Sequence, residues 1–311
     1  MPAAIHTEKL GKTYLTGFWM RPFLGLEDLN LEVPEGTTFG FVGPNGAGKT
    51  TTIKILMGLQ SSTTGKAWIH GVQVPDPASR KKVGFLPERP YFYEYLTAYE
   101  FLSFYANLSE LPTAGRDARI RTLLERVELA RFADIPLGKF SKGMMQRAGL
   151  AQAMIADPEM LVLDEPMSGL DPMGRVLVRD IILEEKKRGK TVFFSSHILS
   201  DIEAICDRVA IVVGGRLRGQ GTLAELVGDT VEWVDCRVDY VGDLPGLQQR
   251  EGSRAELRLR PEEVEAVLDR VRGGGGKIIS VVPKQKTLEQ VLLSEVEQAR
   301  PLESRRMGVL A

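Results

Sequence analysis

The stretch Gly43-Pro44-Asn45-Gly46-Ala47-Gly48-Lys49-Thr50 matches the pattern G-x-x-x-x-G-K-[ST] at every position, and no other stretch limits the fold so tightly. The short apolar run Phe39-Gly40-Phe41-Val42 precedes it. Ile53, Ile55, Leu56 and Leu59 follow it at helical spacing. Strand, glycine-rich loop and helix in that order form a cradle for a phosphate chain. Backbone N–H groups curl around the anion, and the positive end of the helix starting near Lys49 faces it. Lys49 is placed to reach the β and γ phosphates, and the Thr50 hydroxyl to ligate Mg²⁺. Thr51 continues the loop into the helix.

Composition narrows the class without choosing within it. The 311 residues suffice for one large domain and a small one, with 43% hydrophobic and 26% charged residues as in ordinary soluble globular proteins. A net charge of −1, from 40 basic and 41 acidic side chains, gives no sign of a nucleic-acid binder. Cys206 and Cys236 form no C-x-x-C pair and no cluster with His6, His70 or His197, which argues against a zinc site or a disulfide framework and for a reducing compartment. No apolar run approaches the roughly 18 residues that span a bilayer, and the first residues carry no signal-peptide core, so any membrane role is peripheral.

Along the chain, residues 3–14 and 26–33 alternate apolar with polar and read as paired antiparallel strands. Between them Phe18, Trp19, Met20, Arg21, Pro22 and Phe23 suit either a lipid or partner contact or a hairpin extension folded back on its own sheet, the latter favoured. Lys66 to His70 and Val83 to Leu86 are further short strands. Helical periodicity then dominates from about 95 to 156, with Tyr91, Tyr93, Tyr95, Tyr99 and Tyr105 giving this segment an aromatic entrance that fits core packing and a docking surface equally.

Met160-Leu161-Val162-Leu163 reads as a buried central strand closed by Asp164 and Glu165, which then lie at its carboxyl end, where open α/β sheets hold their ligands. Asp164 suits the Mg²⁺ shell, and Glu165 suits polarisation of an attacking water. Thr191 to Phe194 forms another buried strand, which delivers His197 to the same region as a γ-phosphate contact.

Together these residues resemble the ATP-binding subunit of ABC transporters, over about residues 3–225. Tyr14 stands where that family has the aromatic that stacks on adenine. Gly43 to Thr50 resembles the Walker A loop, Met160 to Glu165 the Walker B strand with its catalytic glutamate, Ser168-Gly169-Leu170-Asp171 the D-loop, and His197 the switch histidine. Phe140-Ser141-Lys142-Gly143-Met144 replaces the usual Leu-Ser-Gly-Gly-Gln signature, and Glu88 replaces the usual Q-loop glutamine. Ser141 keeps a capping hydroxyl and Gly143 a close-approach backbone. Lys142 adds a charge that either favours a facing γ phosphate or is solvated. Glu88 keeps an oxygen ligand for Mg²⁺.

The resemblance implies an α/β fold: a P-loop NTPase core with an antiparallel β subdomain and a helical subdomain, in residues 1–225. It implies ATP and Mg²⁺ as ligands and a head-to-tail pairing, as a homodimer or beside a sister subunit, in which Ser141, Lys142 and Gly143 complete the partner's ATP site. It also implies a separate exporter permease, with this chain on the cytoplasmic face of the membrane. The rival reading is a soluble switch of the same ATPase type acting on ribosome or nucleic acid. A non-hydrolysing regulatory binder fits less well, because Glu165 and His197 are both present.

Beyond residue 225 the pattern changes. Ala255, Leu257 and Leu259 alternate with Arg254, Glu256 and Arg258. Pro261-Glu262-Glu263 opens a helix carrying Val264, Val267, Leu268 and Val271, Ile278 to Val282 is a strand, and Thr287 caps a last helix. This predicts a small C-terminal α+β accessory domain over residues 226–300, followed by a disordered tail over 301–311.

Overall fold

The computed structural model describes residues 3–17, 20–228 and 231–308. The chain opens with β1 (Ala3–Thr16), β2 (Arg21–Leu29), β3 (Glu32–Pro34) and β4 (Thr38–Val42). Helix α1 (Lys49–Leu56) leads to β5 (Thr64–Ile69), β6 (Val72–Gln73) and β7 (Val83–Leu86). Helices α2 (Ala98–Leu108), α3 (Arg116–Arg126) and α4 (Lys142–Met154) follow in one block. The chain then alternates through β8 (Met160–Asp164), α5 (Pro172–Lys187), β9 (Thr191–Ser196), α6 (Leu199–Ile205), β10 (Arg208–Val213) and β11 (Arg216–Gly221).

Two sheets organise this part. One is antiparallel in the order β2-β1-β5-β6, with β3 also pairing β1. The other runs β11-β10-β4-β9-β8-β7 and is parallel except for the β10–β11 hairpin. Every residue of β4, β8 and β9 is buried, as expected of central strands covered on both faces. Phe39, Phe41 and Phe193 pack ring to ring inside this core.

The helical block starts at a capping box in which Thr97 accepts from the Glu100 N–H while the Glu100 carboxylate accepts from the Thr97 N–H. Buried charges fasten it to α5: Arg126 of α3 donates to Glu185 at 2.8 Å, and Glu185 also pairs with Lys190 at 2.6 Å. The residues leading into the block point outward, with Tyr91 98% exposed and Tyr93 and Tyr95 also exposed, so they are not core. The hairpin extension is present, with Tyr14 opposite Phe23 and Leu15 opposite Pro22. Burial is not what holds it, since Leu15, Met20 and Phe23 stay exposed. Phe18 and Trp19 lie outside the described residues.

Contacts divide the chain into one unit of Met1–Thr222 with Glu295–Ala311 and a second of Leu223–Ser294. The second unit holds α7 (Leu223–Val227), β12 (Val231–Asp239), β13 (Leu247–Glu251), β14 (Arg254–Leu259), α8 (Val264–Gly273), β15 (Lys277–Gln285) and the start of α9 (Leu288–Gly308). Its antiparallel sheet runs β13-β14-β12-β15, and Val267 and Val271 of α8 pack on Val234, Cys236, Val238 and Leu257. Thr287 caps α9, accepting from the Gln290 N–H at 3.3 Å. That helix runs on to Gly308, through most of the stretch expected to lack order. Residues 309–311 lie outside the described residues.

Candidate functional site

Four parallel strands end at one place. The carboxyl end of β4 runs into Gly43, that of β7 into Pro87 and Glu88, that of β8 supplies Asp164 and Glu165, and that of β9 leads to His197. A cleft of about 510 Å³ opens there, a volume suited to a nucleotide. Its lining includes the Pro44–Thr51 loop, Glu88, Glu165, Ser168 and His197, with Tyr14 and Phe23 from the first hairpin.

Two glycines fix the loop. At Gly43 a Cβ would lie 2.1 Å from the Val212 carbonyl oxygen, and Gly48, at φ +103°, would meet Leu26 and the Gly25 carbonyl. With Gly48 in that turn, α1 starts at Lys49 with its free N–H groups toward the cleft. The Lys49 ammonium is almost fully buried; it donates to the Gly43 carbonyl at 2.7 Å and lies 3.4 Å from Glu165 Oε1. Tyr14 is held by its hydroxyl, which contacts Thr51 Oγ1 at 3.0 Å and donates to Gln60 at 3.1 Å.

The acids form a connected set. Asp164 Oδ1 accepts from Ser195 Oγ at 2.6 Å and from Thr50 Oγ1 at 3.4 Å. Burial pushes the Asp164 carboxyl above the usual carboxylate range. The hydrogen bonds from Ser195 and Thr50 oppose that rise, and the carboxylates of Glu88 and Glu165 add to it. Glu165 sits at φ +52°, in left-handed backbone, and its Oε2 is 2.8 Å from His197 Nδ1. Its carboxylate therefore bridges the buried Lys49 ammonium and the half-exposed imidazole of His197.

Ser141, Lys142 and Gly143 do not line this cleft. They form the start of α4, where Ser141 Oγ accepts from the Met144 N–H at 3.2 Å. Asp171 caps α5 in the same manner, accepting from the Gly174 N–H at 2.8 Å. Two polar residues at the site escape sequence reasoning. Ser195 stands beside Asp164 through the parallel register of β8 and β9, and Gln146 of α4 donates to the carbonyls of Glu165 and Pro166 at 3.4 and 3.3 Å. A serine directly after the apolar run Val192–Phe194, and a glutamine one residue before Arg147, were the available signals.

Fold and cleft together define a P-loop nucleotide-binding protein of the α/β class. The pattern of the family described as ABC transporter matches residues 26–168. The chain is 42% identical over 310 residues to an ABC transporter ATP-binding protein of Nostoc sp., covering 96% of this chain and 91% of that one. It is 37% identical over 270 residues to a fluoroquinolones export ATP-binding protein of Mycobacterium tuberculosis, covering 83% of this chain and 88% of that one. Among solved structures, the ATP binding subunit of an ABC transporter matches with a TM-score of 0.65 at 32% identity, over 72% of this chain and 91% of its own. A dimeric bacterial ABC transporter cassette matches with the same TM-score at 25% identity, over 70% and 98%. The chain belongs to the ABC transporter ATP-binding family.

Proposed function

We propose that this chain binds and hydrolyses ATP as the energy-supplying subunit of an export system whose membrane permease is a separate polypeptide. The observation that carries this reading is the convergence of the Pro44–Thr51 loop, Glu165 and His197 on one cleft at the ends of parallel strands, with Asp164 bonded to Thr50 beside it. The export assignment is supported by the name of the Mycobacterium relative. Among the described residues no helix is long and apolar enough to cross a membrane.

The loop amides and Lys49 grip the β and γ phosphates, and Tyr14 meets the base. Thr50, Asp164 and Glu88 offer only hard oxygen donors, and the Thr50 and Asp164 oxygens already lie within 3.4 Å of each other, which fits Mg²⁺. That ion, when bound, neutralises charge on the phosphate oxygens. Glu165 accepts a hydrogen bond from water and aims its oxygen at the γ phosphorus. A new P–O bond forms, the bond to the β–γ bridging oxygen breaks, and ADP and inorganic phosphate leave. His197 holds the Glu165 carboxylate through Nδ1 and faces the γ phosphate.

Two copies pair head to tail, each offering Ser141, Lys142 and Gly143 to the ATP of the other. Closure and reopening of that pair drive the permease from the cytoplasmic face. Leu223–Ser294 is read as a small accessory domain of the same chain. The test is to extract native membranes gently and identify stoichiometric partners by mass spectrometry. A multi-spanning protein in equal amount supports the reading. Ribosomal or nucleic-acid partners without a permease would overturn it in favour of a soluble switch.

A further inference from the structure

Ser195 is fully buried at the penultimate position of β9, and the sequence motifs assign it no part in the chemistry. Its hydroxyl makes two short hydrogen bonds whose directions are forced. The Glu165 N–H can only donate, so Ser195 Oγ accepts it at 2.9 Å. The Asp164 carboxylate accepts, so the hydroxyl proton points to Oδ1 at 2.6 Å. One hydroxyl thus joins the backbone of one acid to the side chain of the other, in a chain whose two bonds polarise each other.

The backbone needs such a tie. Glu165 occupies a left-handed conformation at φ +52°, which a residue with a side chain keeps only where its surroundings hold it. The other bonds at this turn reach its carbonyl oxygen: the Ser168 N–H donates at 3.0 Å and Gln146 at 3.4 Å. Ser195 alone of these partners holds the N–H side. The direction in which the Glu165 carboxylate leaves the main chain, toward Lys49 and His197, follows from that backbone.

We infer that Ser195 is a positioning residue for ATP hydrolysis, fixing at once the aim of Glu165 and the orientation of Asp164. This deepens the reading of Glu165 and Asp164 given above and rests on it. The two bonds of the Ser195 hydroxyl reach none of the P-loop, Lys49 or Tyr14, so the loop amides still grip the phosphates and ATP binding survives. The water-orienting group and the metal-orienting group both lose their register.

The test uses a pair of variants of one shape in the full chain. Ser195→Thr and Ser195→Val add the same volume to the buried strand, both suit a β-strand, and they differ in the hydroxyl alone. Steady-state ATP hydrolysis is measured against ATP and against Mg²⁺, with thermal melts alongside. Ser195→Thr is expected to keep kcat within about fivefold of the parent. Ser195→Val should lose about 100-fold in kcat, the scale for misplacing a reacting group by an ångström, with KM for ATP changed less than about twofold. The Mg²⁺ concentration for half-maximal rate should rise about tenfold in Ser195→Val, as for loss of a hydrogen bond that orients a metal ligand. Equal kcat and equal Mg²⁺ dependence in the two variants would overturn the proposal. A Glu165→Gln control separates the levels: if it hydrolyses ATP at the parental rate, the reading of Glu165 itself fails, whatever Ser195 does.

Discussion

Strands β4, β8 and β9 of the first unit bury every residue, whereas β14 of the second alternates strictly, Ala255, Leu257 and Leu259 inward and Arg254, Glu256 and Arg258 outward. The two sheets therefore treat charge differently. In the second unit charges meet across strands toward solvent: Arg237 pairs with Glu256 at 2.8 Å, both exposed, and Arg258 with the partly buried Asp235 at 2.9 Å. Within β4, β8 and β9 of the first, the one charged residue is Asp164, at the carboxyl end of β8, where Ser195 and Thr50 hold it. A sheet covered on both faces concentrates its polar chemistry at one rim, and that rim holds the cleft. A sheet with one wet face spreads its charges, and they stabilise little.

The contrast makes graded predictions. Phe193→Ala, which removes the ring packed between Phe39 and Phe41, should destabilise the first unit by about 3–5 kcal/mol in denaturant unfolding. A loss below about 1 kcal/mol would show that the central sheet is less tightly packed than the contrast requires.

Glu185→Gln comes next, at about 3 kcal/mol at neutral pH, because it strips the anion from a buried cluster with Arg126, Arg188 and Lys190. Burial pushes the Glu185 carboxyl up, but hydrogen bonds from Lys190 and Arg126 outweigh it and hold the group below the ordinary glutamate value of 4.5. A depressed folded pKa gives stability that is present above the unfolded value and lost as pH falls through the folded one. The difference between parent and variant should therefore shrink as melts are taken from pH 6 to below about 4. A gap that stays constant with pH would show that the carboxylate contributes nothing as a charge.

Smallest is Arg237→Ala, which breaks an exposed cross-strand pair and should shift stability by under about 1 kcal/mol, less still in high salt. A larger effect would blur the distinction between rim and surface charge.

Legibility in the sequence follows the same division. The P-loop, Asp164, Glu165 and His197 could be read because each sits on or beside a short apolar run that ends at a fixed residue. Ser195 and Gln146 could not, since their roles come from the β8–β9 register and the packing of α4, both set by contacts far apart in sequence. In the second unit β14 and α8 follow their periodicities. β13 carries only Leu247 as an apolar residue, and it is a strand because β14 pairs with it. β12 does place Val234, Cys236 and Val238 inward, but Val231 and Trp233 add apolar residues that obscure the alternation. The exposure of Tyr91 and Tyr93 likewise depends on how the helical block packs, which composition does not specify.

The central claim is that the cleft binds ATP through its loop and hydrolyses it through Glu165. Its most direct test is Glu165→Gln in the full chain, a change that keeps the shape of the side chain and removes its negative charge. ATP binding and turnover are measured together, with the association state followed by sedimentation. The account predicts ATP affinity close to that of the parent, a dimer that accumulates when ATP is added, and turnover reduced by about 100-fold or more. Turnover at the parental rate, or loss of ATP binding with the fold intact, would contradict it.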